Sequence, residues 1–188
     1  EDSALISQSP IGPSVGKELT RNAIVSVLVA CVAMLIYIAI RFEFNFGIAA
    51  ITALVHDVLI TLAFYAIFNI SINNSFIAAM LTIVGYSIND TIVIFDRIRE
   101  SSHSMRRSTP TEIANVSINK TLARSINTSL TTLIVIGAVN IFVPTVREFS
   151  FPLLIGIAAG AYSSIFIASP VWVLLQKRKI KNKKVKAA

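Results

Sequence analysis

Five apolar stretches, at 23–40, 46–68, 76–98, 122–143 and 151–175, decide what this chain can become. Each is close to the ~20 residues a helix needs to cross ~30 Å of hydrocarbon at 1.5 Å per residue. They leave no polar stretch long enough for a water-soluble domain with a core of its own, which fits a mean hydropathy of +0.72. Inside a bilayer every backbone group must find its partner within the protein, so the spans are helices or a closed barrel. The ten-residue segments of alternating polarity that barrel strands show are missing. The sequence therefore predicts an all-α integral membrane bundle of five transmembrane helices over residues 21–177.

Charge placement orients the bundle. Arg41 follows the first span, while Arg97, Arg99, Arg106, Arg107 and Lys120 fall between the third and fourth. Seven of the 17 Lys and Arg lie in the last twelve residues. The opposite connections, Asn69–Ser75 and Pro144–Ser150, hold only Arg147, offset by Glu148. By the positive-inside rule, 99–121 is a cytoplasmic loop, 178–188 a basic cytoplasmic tail, and the N-terminus is extracytoplasmic. A net charge of +7 would suit nucleic acid, but this distribution marks topology, so membrane lipids are the expected partner and nucleic acid is not. Docking of an acidic cytoplasmic partner on the tail is the sharper alternative.

Residues 1–20, with Pro10, Gly12, Pro13 and Gly16, read as an extended extracytoplasmic connector. The chain starts at Glu1, and a segment arriving from outside leads us to expect an earlier span and external segment upstream. Cys31 is the only cysteine and reads as a buried thiol. Thr109-Pro110-Thr111-Glu112 predicts a helix start, with Thr109 as N-cap and Pro110 in the first turn. Ile113, Val116 and Ile118 could lay that helix along the membrane face.

Asp90 and Arg124 are the charges that matter most, because both lie inside apolar spans. A charge at bilayer depth costs at least ~2.5–3.5 kcal/mol, so it normally has a partner or lines a wet path. Asp90 is seven residues before Arg97, or ~10 Å in from the cytoplasmic end, and Arg124 is four after Lys120, or ~6 Å in. The two are expected to meet as an ion pair that opens when the acid takes a proton; the alternative is that Arg124 snorkels to the headgroups. Supporting polar groups are Ser87 and Asn89 on the third span, and Asn127, Thr128 and Thr131, a stripe with Arg124 at helical spacing on the fourth. Glue between helices is the alternative reading of the hydroxyls.

His56 and Asp57 form a second constellation at mid-span. A structural polar contact and a proton-carrying role are both open for them, and neighbours in a helix are expected to face different sides. Gly85 beside Tyr86, and Gly156 with Gly160, are expected to admit close helix approach, with Ser163 and Ser164 as further small packing residues. Pro170 should kink the last helix. No metal-ligand spacing, phosphate-cradling loop or nucleophile triad is present, so no enzyme, metal or bound cofactor is expected.

Val84–Glu100 (VGYSINDTIVIFDRIRE) resembles the hallmark segment of the SecF family of the bacterial SecDF protein-export complex, within the resistance-nodulation-division superfamily. Pro13–Gly16, RFEFNFGIAA followed by the His56-Asp57-Val58 triplet, and Arg124–Ser129 (RSINTS) carry the same resemblance. It implies the last five of six helices of a multi-pass subunit of the bacterial inner membrane, coupling proton flow to Sec-dependent protein translocation. The implied partners are SecD, separate or fused, the SecYEG channel, SecA and preproteins, with protons as the coupling ion. It also implies proton conduction through Asp90 and Arg124, and matches Asp57 to a characteristic His-Asp pair. A proton-coupled small-molecule exporter of the same superfamily and a purely structural helix-packing subunit are the alternatives.

Overall fold

A computed structural model describes residues 13–70 and 72–187, and every element among them is helical. Six helices follow one another: α1 (Pro13–Arg41), α2 (Phe44–Ile67), α3 (Asn74–Ser104), α4 (Pro110–Phe142), α5 (Arg147–Ser163) and α6 (Ser169–Ala187). A single 3-10 turn, Pro144–Val146, enters α5, and a widened π turn, Ser164–Ala168, joins α5 to α6.

Four segments are long and apolar enough to cross a membrane: Phe44–Ile67, Ser75–Ser104, Pro110–Phe142 and Pro144–Asn182. They cover the expected spans at 76–98 and 151–175, and all but the last residue of those at 46–68 and 122–143. The expected first span lies within α1, whose described apolar stretch is Leu28–Ile38. Four crossings thus rest on the described residues and the fifth on the sequence. Of the expected connector, residues 1–12 lie outside the described residues, whereas Pro13–Thr20 open α1 and are not extended. Pro13 sits where a helix tolerates proline, at its first position, with no N–H needed there.

The termini follow local chemistry. Asn73 caps α3, its side-chain oxygen accepting from the Phe76 N–H at 2.9 Å. Thr109 and Glu112 form the reciprocal capping box of α4, Glu112 N–H to Thr109 Oγ1 at 3.3 Å and Thr109 N–H to Glu112 Oε2 at 2.9 Å. The helix start is as expected, but the interfacial helix is not. Ile113 and Ala114 are buried against Phe95 and Ile98, so the segment is the first part of one continuous helix. Apolar side chains gain more from that packing than from lying on the headgroups.

Arg147 closes the far end of α4. Its Nε and guanidinium donate to the Asn140 and Ile141 carbonyls at 2.9 and 3.1 Å, which a helix C-terminus otherwise leaves unpaired. Pro170 acts one turn earlier than a simple kink. It has no N–H for the carbonyl four residues back, and the ladder before it widens into the π turn, where Ser169 Oγ donates to the Ser164 carbonyl at 3.2 Å.

α5 is the central helix, packed on α2, α3 and α4. Gly156 and Gly160 make this possible: a Cβ at Gly156 would overlap the Ile83 side chain, and one at Gly160 would lie 3.1 Å from Ser87 Cβ. Gly85 does not serve this purpose. It faces outward, and a Cβ there meets nothing within 4 Å. Two apolar clusters result. One gathers Phe42, Phe46, Phe95, Ile98, Ile113 and Trp172. The other gathers Tyr65, Phe76, Met80, Ile83, Leu153 and Ile157 toward the opposite end. Between them runs a buried polar layer.

Candidate functional site

Two carboxylates define that layer, and each is held by serines. Asp90 on α3 is 7% exposed, and its Oδ1 accepts from Ser125 Oγ of α4 at 2.8 Å. Its Oδ2 is buried with no hydrogen-bond partner. Ser129, one turn along α4 from Ser125, also has a buried Oγ without a partner. On α3, one turn from Asp90, the Tyr86 hydroxyl reaches Thr132 Oγ1 at 3.0 Å and the Thr128 carbonyl at 3.1 Å. Toward the other end, Ser117 Oγ reaches the Arg97 carbonyl at 3.3 Å. Rising numbers on α3 meet falling numbers on α4, so the two helices run antiparallel with Asp90 opposite Ser125.

Arg124 is not paired with Asp90. The guanidinium makes no ion pair with any described residue and lies exposed, lining an open cleft with Arg97 and Lys120. The reason is helical geometry: Ser125 takes the inward direction, and its predecessor is turned ~100° away. The same offset moves the whole stripe. The polar residues α4 buries are Ser117, Thr121, Ser125 and Ser129, at a strict spacing of four. Asn127, Thr128 and Thr131 face outward with Arg124. Thr128 and Thr131 satisfy their hydroxyls on the Arg124 and Asn127 carbonyls, at 2.8 and 2.9 Å, as threonines in apolar surroundings commonly do. Asn89, expected beside Asp90, also faces outward, for the same reason of adjacency.

Asp57 on α2 is fully buried at 0% exposure. Its Oδ2 accepts from Ser87 of α3 at 2.5 Å and Ser163 of α5 at 2.8 Å. Its Oδ1 lies 3.0 Å from His56 Nδ1. His56 and Asp57 therefore meet although they are sequence neighbours, because Nδ1 sits close to the backbone and the Asp side chain is short. The imidazole is the partly exposed edge of this cluster, with Tyr162 at 6.2 Å between ring centres. One turn along, Thr91 Oγ1 lies 3.0 Å from Ser164 Oγ, which itself donates to the Gly160 carbonyl at 2.8 Å. Ser163 and Ser164 are thus hydrogen-bonding groups as well as small ones. Their signal in the sequence was their position on the Gly156–Gly160 face, and small size hid it.

The chemistry available is acid–base exchange in a water-poor layer. Asp90 offers one oxygen already held and one free, and Asp57 offers a carboxyl held by serine donors from two other helices with His56 beside it. Among the described residues no group of His, Cys, Asp and Glu is placed to hold a metal ion.

Known proteins are similar to this chain in sequence and fold. The family model for the C-terminal part of the protein-export membrane proteins SecD and SecF matches residues 1–178. The protein translocase subunit SecF of Sebaldella termitidis is 46% identical over 177 residues, covering 93% of this chain and 58% of its own. SecF of Rhodothermus marinus is 45% identical, covering 98% and 62%. SecDF of Bacillus subtilis is 44% identical over 93% of this chain and 24% of its own. Crystallised SecDF from Thermus thermophilus, described as a translocon-associated membrane protein, superposes with a TM-score of 0.83 at 44% identity, over 88% of this chain and 23% of its own. The chain thus spans about six-tenths of its SecF relatives and about a quarter of the SecDF chains.

Proposed function

The chain belongs to the SecD/SecF family of protein-export membrane proteins, and on that premise we propose that it is the proton-handling part of a SecF-like subunit of a SecDF complex, with Asp90 as the proton-binding group. The observation that carries this reading is the state of Asp90: a buried carboxyl with Oδ1 on Ser125 and Oδ2 free. A proton on Oδ2 turns that oxygen from acceptor to donor, so loading and unloading exchange one set of contacts for another. A buried ionisable group with no cationic partner among the described residues is a functional site by default.

Arg124 acts from the outer face of α4. Loss of the Asp90 proton leaves an anion near the guanidinium, which is long enough to swing toward it or toward the cleft. Contact between the two belongs to a conformation other than the one described here. Asp57 holds α2, α3 and α5 together through Ser87 and Ser163, and its proton-carrying role comes second to this packing role.

The outward polar residues supply the argument for a partner. Arg124 and Asn127 stand at membrane depth on a helix face otherwise made of exposed Ile126, Leu130, Ile134 and Val135. Polar groups at that depth face a bundle interior or a wet path. SecD, as a separate chain or fused, is the partner this face fits. SecYEG, SecA and preproteins are the wider machinery, and the bacterial inner membrane the location, that membership implies. The test uses the complete complex with Asp90→Asn. Proton-dependent stimulation of export should be lost while the protein inserts and assembles normally; normal stimulation would end the reading.

A further inference from the structure

At the end of the bundle that carries the basic loops, α1, α3 and α4 enclose an open cleft of about 630 Å³. Arg41, Arg97, Arg99, Lys120 and Arg124 all line it, against only Asp96 and Glu100, a net charge of +3 with His103 neutral. Both carboxylates are already engaged: Arg41 pairs with Asp96 at 3.2 Å and Arg97 with Glu100 at 2.6 Å. Lys120 and Arg124 have no ion pair among the described residues. Arg97 adds a second and independent sign, because its Nε is buried without a hydrogen-bond partner. Unmatched cations gathered beside a low-dielectric slab repel one another with little screening. The cleft's excess of positive charge suits an anionic ligand.

Its depth selects the anion. The innermost lining residues are Val93, about one helical turn from Asp90, and Arg124, beside Ser125, and the outermost, Glu100 and His103, lie ~10 Å or more further along α3. That interval covers the ends of the spans at 76–98 and 122–143, where lipid phosphates lie. Basic pockets between membrane helices at this height take acidic headgroups. Arginine suits them further, since its planar donors match phosphate oxygens. The geometry points to a binding site for the phosphate headgroup of an anionic phospholipid, held by Arg97 and Lys120 with Arg124 at the inner edge. This site does not depend on the proton reading, because occupancy is measured without export.

The experiment titrates phosphatidylglycerol against the purified complete complex in mild detergent and counts bound lipid by native mass spectrometry. Arg97→Gln with Lys120→Gln should weaken binding roughly tenfold or more, as two lost phosphate-facing charges would give. Arg178→Gln with Lys181→Gln, on the exposed tail helix, should leave it unchanged. Should the double variant fail to assemble, Lys120→Gln alone, at an exposed position, should still weaken binding several-fold. Phosphatidylcholine should bind far less, and inorganic phosphate should not displace the lipid. Equal binding of both lipids, equal displacement by inorganic phosphate, or equal loss in the tail variant would each overturn the site. So would an unaffected double variant, the result expected if acidic side chains of another subunit fill the cleft instead.

Discussion

Ser125 donates its hydroxyl to Asp90 at 2.8 Å, while Arg124, its immediate neighbour, is turned ~100° away into the open cleft beside α3. One helix thus presents the candidate acid with a neutral donor from within and a cation from without. The acid can be held in its buried place without a permanent ion pair, and the guanidinium stays free to respond to its charge.

Ser125→Ala removes the only donor to Asp90 that the described residues supply. That hydroxyl favours one protonation state of the carboxyl over the other, so the pH profile of export should shift when it is removed. Ser125→Thr keeps a hydroxyl and should restore the original profile. A pH profile of export in vesicles for the three proteins checks this, and an unmoved midpoint in the alanine variant would argue against Asp90 as the titrating group.

Asp57→Ala strands the Ser87 hydroxyl in a fully buried layer and leaves Ser163 only the Gly160 carbonyl at 3.2 Å. Leaving such a donor unpaired costs about 1–3 kcal/mol, and the cavity adds to it. The expected result is a clear fall in the thermal stability of the purified complex. Asp57→Asn keeps the shape and an acceptor and should lose much less. If export fails in Asp57→Asn while stability holds, Asp57 carries more than packing.

Gly156→Val drives a branched side chain into Ile83 of α3 and should destabilise the bundle by about 1–3 kcal/mol or more. Gly85→Ala adds a methyl to open space in a helix interior and should be neutral or stabilising by about 1 kcal/mol. Denaturation of the two variants side by side separates a contact glycine from one that merely sits in a helix.

Thr109→Ala opens the capping box of α4 and should cost about 0.5–2 kcal/mol. The loss should appear as faster hydrogen exchange confined to the first turns of α4, with the rest of the bundle unchanged.

The sequence made the large features legible because the bilayer imposes them. Span length follows from membrane thickness, and four expected spans match four long apolar helices to within a residue at the ends they overrun. Asp90 and Asp57 stood out because an acid in an apolar run has to be buried or wet. The facing of α4 was not legible. Its two polar stripes, Ser117 to Ser129 and Arg124 to Thr131, share the same spacing and differ by about 100° of rotation. In a soluble protein the more polar stripe would face water. In a membrane no such rule ranks them, and the charged stripe turned outward. The serines of α5 were hidden for a related reason, since a residue small enough to pack is also small enough to donate.

The most direct test follows the Asp90 carboxyl itself. Infrared difference spectra of the reconstituted complete complex, recorded across a pH titration, should show one protonated-carboxyl band that appears and disappears with pH. That band should be absent in Asp90→Asn and displaced in Ser125→Ala. A carboxyl band that persists unchanged in Asp90→Asn, or no titrating band in the pH range over which export responds to protons, would contradict the account.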